Sequence, residues 1–405
     1  MKKSPTAPIT NRNIRIQLTS QFLSALIFTI PIWIVYYQQR ITVEQISFLV
    51  ALQAIIQLGL ELPIGAFADI FGKRWSMILC YTTLALSNVV VLFSNSFLPL
   101  VIATVVNGIS ESLLSGSLEA LMYDSAKQDG REAEFGKIQA NNSFWYQIAL
   151  GIGTLTGGFL YKLAPALPFF ICVIAGIGST VLSFWFIEPS IDTQKFSLSG
   201  YLRHIRDGVK EAFHTKEAAL MSLFYIAVAG ITWPNQLYFN SFILVELGFS
   251  DDIRGILGGF FRFFNVFVLR AMLQNKVIFT KRRSILVFPI LMTVCFLPGI
   301  FYRGWAAIPL VMGALMMGTA RWILLTPYTN AMFSSRYRAT AISALSMIIS
   351  IIYVGITWVS GPIIARYGGV RMVYTLLGVL TILFVWPLAI QLMKSDKNTY
   401  EDHSV

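Results

Sequence analysis

The sequence predicts an all-α integral membrane protein with twelve transmembrane helices in two pseudo-symmetric six-helix bundles. Of the 405 residues, 56% are hydrophobic and 13% are charged, which is about half the charged share of soluble domains. The mean hydropathy is +0.66. Apolar runs recur along the chain, and twelve spans of about 20 residues would use roughly 240 positions. This composition excludes a soluble enzyme, a secreted disulfide scaffold and a disordered chain.

Each predicted span is an apolar run of the length that crosses a bilayer. The first six spans are predicted at residues 14–37, 43–66, 75–93, 97–124, 140–163 and 167–186. The last six are predicted at residues 218–244, 253–273, 284–302, 305–333, 339–365 and 374–392. The corresponding domains are an N-terminal bundle (1–187), a cytoplasmic linker (188–217) and a C-terminal bundle with a short cytoplasmic tail (218–405).

The charge distribution predicts the topology. With the N-terminus inside, about 22 of the 31 Lys and Arg residues fall in cytoplasmic segments and about 6 on the other side. The net charge of +11 is therefore explained by topology and not by a nucleic-acid partner. We expect a multi-pass protein of the cytoplasmic (inner) membrane with both termini in the cytoplasm.

The linker is predicted to contain an amphipathic helix on the cytoplasmic face. Its apolar residues recur at every fourth position, at Tyr201, Ile205, Val209 and Phe213, away from the basic residues Arg203, Arg206 and Lys210. Two halves joined in this way suggest parallel repeats with a central site at their interface.

Reactive groups typical of enzymes or cofactor sites are missing from the sequence. The three cysteines, Cys80, Cys172 and Cys295, lie inside apolar runs without CxxC spacing, so we interpret them as packing residues. The histidines lie in polar segments, and the sequence has no G-x-x-x-x-G-K-[ST] loop. We therefore predict no metal, no cofactor, no ATP-driven pump and no enzymatic activity.

A motif follows the second span, with the pattern G-x-x-x-D-x-x-G-K-R. Its glycines allow close packing and a sharp turn, its aspartate can cap a helix, and its basic pair holds the loop in the cytoplasm. The residues are Gly65, Asp69, Gly72, Lys73 and Arg74.

With this motif the chain resembles the major facilitator superfamily over its whole length, and in particular its bacterial drug-efflux-like branch. The segments Glu61-Leu-Pro63-Ile, Ser115 to Asp124 and Arg338-Ala339-Thr340 also look like bacterial members. The resemblance implies a monomer whose cytoplasmic gate pairs Asp69 with the turn from Arg338 to Thr340, and Arg74 with Asp124.

The chain also departs from the pattern of drug antiporters. The loop between spans 8 and 9 keeps only Lys281-Arg282-Arg283, and span 4 has Asn107 to Glu111 where those antiporters carry an arginine. Span 5 is rich in glycine but lacks the Gly-Pro pair of the antiporter motif. These departures favour an uptake symporter, whereas the aromatic, sparsely charged spans favour an exporter.

Polar residues recur inside predicted spans, where they are costly unless they face a wet cavity or a partner. Span 4 has a stripe at steps of four, formed by Asn107, Glu111, Ser115 and Glu119, and span 2 has Gln53, Gln57 and Glu61. Glu111 is expected in a cavity, and Glu119 either in the cavity or at the gate.

Arg321 in span 10 lies at a depth similar to that of Glu111, about 24 Å and 21 Å from the starts of their spans. We hypothesise that the two face a central cavity from opposite halves; local packing is the alternative. Arg262 in span 8 is expected either to bind substrate or to pack. In span 7, Pro234 predicts a hinge beside candidate site residues Asn235, Gln236 and Asn240.

Together these features predict a secondary active transporter that moves a small molecule by alternating access. We expect proton-coupled export of amphiphilic or drug-like compounds, with Glu111, Glu61 and Glu119 as candidate proton carriers. Two alternatives stay open: an ion-coupled uptake symporter or facilitator for a small metabolite, and a membrane receptor or scaffold that does not transport.

Overall fold

A computed structural model of the chain describes residues 9–190, 198–274 and 280–401. In these ranges the protein is all helical, with helices joined by short turns and no strand. A helix, or a run of consecutive helices, coincides with each predicted span. Eight of these are long and apolar enough to cross a membrane, judged by length and composition. The protein is therefore a multi-pass, all-helical membrane protein.

Spans 1 to 6 follow one another with short connections. Their helices are Ile9–Ala25 and Trp33–Gln38 (span 1), Val43–Phe71 (span 2), Lys73–Phe93 (span 3), Phe97–Gln128 (span 4), Phe135–Leu163 (span 5) and Leu167–Ser183 (span 6). The linker helix is Leu198–Ala212.

Spans 7 to 12 contain more interruptions. Their helical parts are Lys216–Pro234, Asn235–Phe239 and Asn240–Glu246 (span 7), Asp251–Gln274 (span 8), Lys281–Phe296 and Leu297–Phe301 (span 9), Gly304–Ala307, Ile308–Leu324 and Thr326–Ala331 (span 10), Arg338–Arg366 (span 11), and Gly369–Leu380, Thr381–Val385 and Trp386–Glu401 (span 12).

The chain divides into two compact units. Unit 1 contains Met1–Ile41, Leu52–Leu198 and Ser250–Phe263, and unit 2 contains Thr42–Ala51, Ser199–Phe249 and Phe264–Val405. The first part of span 8 thus packs within unit 1, and the first part of span 2 packs within unit 2.

Span 1 is broken, although a single helix was predicted there. The helix ends at Ala25 and resumes at Trp33, and between them the Ile27 and Phe28 amides make tight bonds to the carbonyls of Ala25 and Leu26. Pro31 has no amide hydrogen and cannot continue the helical ladder. The prediction of one continuous helix over 14–37 is therefore wrong.

Glycines of span 5 receive the broken segment. A Cβ on Gly153 would meet the backbone of Ile27, and one on Gly157 would overlap the carbonyl of Phe28. In a bilayer, helices associate through close packing, because lipid tails are as apolar as the side chains they would replace. The glycines of span 5 therefore let the irregular backbone of span 1 approach closely.

The linker helix docks within unit 2. A Cβ on Gly208 would overlap the Thr340 carbonyl, and the Ser334 amide donates to Glu211 Oε1 at 2.7 Å. The Ser222 hydroxyl donates to the carbonyl of Ala212 at 2.8 Å. The linker helix is thus held at both the start of span 7 and the turn before span 11.

Replacing Gly157 by alanine should destabilise the protein by about 1–3 kcal/mol, because the new methyl group would overlap backbone that cannot rotate away. Gly59→Ala is the matched control, because nothing lies within 4 Å of that Cβ. In the control, better helix propensity should raise stability by up to about 1 kcal/mol. Thermal unfolding of the two purified variants measures both changes in stability. Equal unfolding midpoints would contradict the close approach of Gly157 to the backbone of span 1.

Docking of the linker helix should weaken at acidic pH. The amide of Ser334, helped by the nearby His214, lowers the pKa of Glu211. Because the pKa of Glu211 is lower in the folded protein, its ionised form stabilises docking at pH values above the usual glutamate pKa of about 4.3. This stabilisation is lost as the pH falls through the pKa of Glu211 in the folded protein. Amide hydrogen exchange of residues 203–212 at about pH 7 and about pH 3.5 measures the loss. Glu211→Gln should show no such pH dependence.

Candidate functional site

The turn between spans 2 and 3 is fixed by a carboxylate from the end of span 6. Gly72 has a φ of 95°, a value that favours glycine, and span 3 begins at the next residue. The amides of Lys73 and Arg74 donate to the two Glu188 oxygens at 2.8 and 2.7 Å. Glu188 thereby places a negative charge at a helix N-terminus, where it is stabilising.

A buried ion pair joins this turn to span 4. Lys73 pairs with Asp124, and their side chains are only 11% and 12% exposed. Arg74 instead donates to the carbonyl of Phe184 at 2.6 Å. The expected pair between Arg74 and Asp124 is therefore wrong, since adjacent residues on a helix point about 100° apart and Lys73 is the one directed at span 4.

The rest of the predicted cytoplasmic gate is described only in part. The side chains of Glu61 and Asp69 and the surroundings of Gly65 lie outside the part of the chain that the structure describes. Arg338 donates to the carbonyl of Asn330 at 3.0 Å, and Thr340 lies against the linker helix. A gate contact between Asp69 and the turn at Arg338 stays a prediction.

Sequence reasoning missed Glu188. Two signals could have found it: it directly follows the apolar run of span 6, and it precedes Pro189, which cannot continue a helix. An acidic residue at a cytoplasmic span end is a natural partner for a basic turn elsewhere on that side. The sequence alone does not say which turn lies nearby.

Glu111 lies near the middle of span 4. Neighbouring residues pack against other helices: Gly108 against Ile56 of span 2, and the Ser110 hydroxyl donates to the Cys80 carbonyl of span 3 at 2.8 Å. Within the described part of the chain, Glu111 itself makes no hydrogen bond and no ion pair. It is a half-buried carboxyl group of unit 1 without a partner among the described residues.

Tyr146 of span 5 links Glu111 to a second charge. Its hydroxyl lies within electrostatic range of Glu111 and of Arg262 from span 8. Arg262 is half-buried and has no carboxylate partner among the residues described. Unit 1 therefore holds one carboxyl and one guanidinium group within electrostatic range of a half-buried tyrosine, each from a different span.

The other polar residues of the span 4 stripe have different surroundings. Glu119 accepts a hydrogen bond from Gln139 of span 5, close to the turn that joins these spans. Ser115 is exposed, and Asn107 is half-buried. Of the four stripe residues, Glu111 is thus the acidic group that lies deep in the span without a partner.

Arg321 packs inside unit 2. It is 2% exposed, and its guanidinium carbon lies 4.9 Å from the centre of the Tyr225 ring and 4.5 Å from that of Trp322. Its Nε atom has no hydrogen-bond partner. Since Glu111 belongs to unit 1, the pairing of these two residues stays a hypothesis, and the ring contacts support the packing alternative.

Span 7 changes its helical form directly after Pro234. Residues Asn235–Phe239 form a π-helical turn, which is frequent at functional sites. Asn235 is fully buried, and both polar atoms of its side chain lack a partner. The wider π-helical turn therefore directs the polar side chain of Asn235 differently from a regular α-helical turn.

An amide cluster surrounds this turn. Gln236 donates to the Thr319 hydroxyl at 3.5 Å, and Asn265 donates to it at 2.7 Å. The buried amide oxygens of Asn240 and Asn265 have no partner. Asn265 was not singled out from the sequence, although its place three residues after Arg262 was a usable signal. Unpaired buried amides favour a polar ligand or water.

A family model described as Major Facilitator Superfamily matches residues 17–351. A Bacillus subtilis (strain 168) protein described as an uncharacterized MFS-type transporter, YxaM, is 29% identical over 240 residues, which are 57% of this chain and 58% of that protein. The class D tetracycline resistance protein of Salmonella ordonez is 24% identical over 161 residues, 40% of this chain and 39% of the relative. The chain thus matches less than two thirds of the length of these relatives.

Solved structures match over nearly the whole chain. The nucleoside transporter NupG superposes with a TM-score of 0.73 at 11% identity, over 95% of this chain and 99% of that one. The POT family transporter PepTSo superposes with a TM-score of 0.74 at 10% identity, over 96% and 99%. At such low identity these matches show the fold alone.

Removing one partner of the Lys73–Asp124 pair should destabilise the protein much more than removing both partners. Asp124→Asn removes the carboxylate that neutralises a buried ammonium group, at a cost of about 3–5 kcal/mol. The double variant Lys73→Met with Asp124→Leu replaces the pair by apolar groups and should recover most of that stability. Unfolding midpoints in detergent test this ordering, and a double variant as unstable as the single one would contradict it.

Proposed function

The chain belongs to the major facilitator superfamily, whose model matches residues 17–351, and from this premise we propose that it is a proton-coupled exporter of amphiphilic, drug-like compounds. Membership makes it a multi-pass secondary transporter. The observation that carries the finer proposal is the half-buried Glu111 of unit 1, which has no partner among the described residues and acts electrostatically on Tyr146.

Proton coupling follows from the surroundings of Glu111. A carboxylate without a partner in an apolar interior is costly, whereas its protonated form is not. A carrier that exposes this group first to one solution and then to the other would bind a proton on one side and release it on the other. Glu119 is a weaker candidate, since it is exposed and already bonded to Gln139, and Glu61 stays a candidate from the sequence.

The substrate class follows from the groups that lack partners. Glu111 and Arg262 offer both signs of charge, and Tyr146 offers an aromatic surface between them. In unit 2, Asn240 and Asn265 offer buried amide oxygens that can accept hydrogen bonds from a ligand. Such groups suit a mostly apolar molecule with a few polar or charged substituents.

The relatives support a drug-like substrate and export. Two of them, from Salmonella ordonez and Escherichia coli, are tetracycline resistance proteins. A membrane transporter protects a cell most simply by moving a toxic compound outward. We further propose that the protein acts as a monomer in the cytoplasmic membrane with both termini in the cytoplasm, as the excess of basic residues in the inner loops indicates.

The proposal predicts a proton flux that depends on Glu111. Purified protein is placed in liposomes that enclose a pH-sensitive dye and is challenged with cationic, neutral, zwitterionic and anionic compounds. The active compounds should move protons in the opposite direction to themselves. Glu111→Gln should abolish this coupled flux, because an amide cannot carry a proton. Glu132→Gln, at an exposed position in the turn before span 5, is the control and should behave as wild type.

The direction of proton movement decides between mechanisms. Movement of protons with the compound would show uptake symport, and compound flux without proton movement would show a facilitator. Binding without flux would show a receptor. Wild-type coupling in Glu111→Gln would remove Glu111 from the mechanism while leaving transport in place.

A further inference from the structure

The broken segment of span 1, residues 26–32, is held by three other spans of unit 1. Span 5 approaches it at Gly153 and Gly157. Span 6 contributes Cys172, whose sulfur donates to the Leu26 carbonyl at 3.7 Å. The glycines of span 5 let the segment approach closely, and the thiol of span 6 gives it a hydrogen-bond partner from outside span 1.

Span 8 supplies the third neighbour, through Arg254 in its first turn. The Arg254 Nε donates to the Pro31 carbonyl at 3.0 Å, and a terminal nitrogen pairs with Asp251. Arg254 is only 5% exposed. A buried guanidinium that reaches a carbonyl in a broken helix is a strong and directional contact.

Around Arg254, glycines of span 8 lie directly against span 5. On span 8, Gly255 lies against the carbonyls of Thr154 and Leu155, and Gly258 lies against the Thr154 methyl group. An exposed ion pair between Lys162 and Asp252, at 2.7 Å, flanks this contact surface. This surface joins the ends of spans 1 and 5 to the start of span 8, at the opposite end of unit 1 from the Lys73 turn.

We propose that Arg254 is a positioning residue that closes this end of the transport path by holding the broken segment of span 1. Its bond to the Pro31 carbonyl forms in the conformation described here and breaks when the start of span 8 moves away from spans 1 and 5. The proposal rests on alternating access, but not on the proton, the substrate or the direction of export.

Cys172 provides a reporter for the opening, because it is buried directly beside the broken segment. In a variant that keeps only Cys172, with Cys80→Ser and Cys295→Ser, Arg254→Gln should raise the rate of labelling by N-ethylmaleimide about tenfold or more, as expected for the loss of a charged hydrogen bond. Arg254→Lys keeps the charge and should give an intermediate rate. Arg303→Gln, an exposed arginine in the turn before span 10, should leave the rate unchanged.

Two further single-cysteine variants, keeping Cys80 or Cys295, separate opening from unfolding. Both cysteines are buried, in spans 3 and 9, and their labelling rates should not respond to Arg254→Gln. Equal acceleration at all three cysteines would show that Arg254 only maintains the fold, and no acceleration at Cys172 would show that it does not close this end. Labelling needs neither substrate nor proton gradient, so either result stands even if the export assay fails.

Discussion

The structure depends on one constraint: inside a bilayer, every backbone amide and carbonyl needs a partner within the protein. A regular helix satisfies its interior backbone groups with its own hydrogen bonds, and most of the chain is helical. Where a helix is interrupted, neighbours must supply the missing hydrogen bonds. At the break in span 1 the partners are a thiol from span 6 and a guanidinium from span 8.

The interruptions also explain where the glycines lie. Span 5 was expected to be a glycine-rich helix without an assigned role for its glycines. In the structure, Gly153 and Gly157 face span 1, whereas Gly151 and Gly158 face Phe263 and Asp251 at the two ends of the described contact with span 8. One helix therefore has two close-packing faces. Glycine provides them because lipid gives helices no hydrophobic reason to associate, and contact area has to come from close approach.

Sequence reasoning recovered the features that depend on local pattern. The positions of the helices and the helical segment of the linker follow from runs of apolar residues and their periodicity. The break at Pro31 was missed because it lies in an unbroken apolar run, and the partners of Lys73 and Glu188 were missed because they depend on which turns meet in space. Equal depth suggested a relation between Glu111 and Arg321, but depth does not fix the direction in which a side chain points. That direction is set by packing, which places Arg321 against Tyr225 and Trp322.

Charged residues near the ends of the spans differ from those in the middle in whether they have an ion-pair partner. Near the span ends, charged groups are paired: Lys73 with Asp124, Lys162 with Asp252, and Arg371 with Glu246. The more exposed pair of Lys162 and Asp252 can break and re-form at small cost, because water solvates both charges when they separate. Glu111 and Arg262 lie at mid-span, where no carboxylate or basic partner is described. A charge retained there without a partner is costly for stability, and a proton or ligand that neutralises it during the cycle gives the physical reason for its presence.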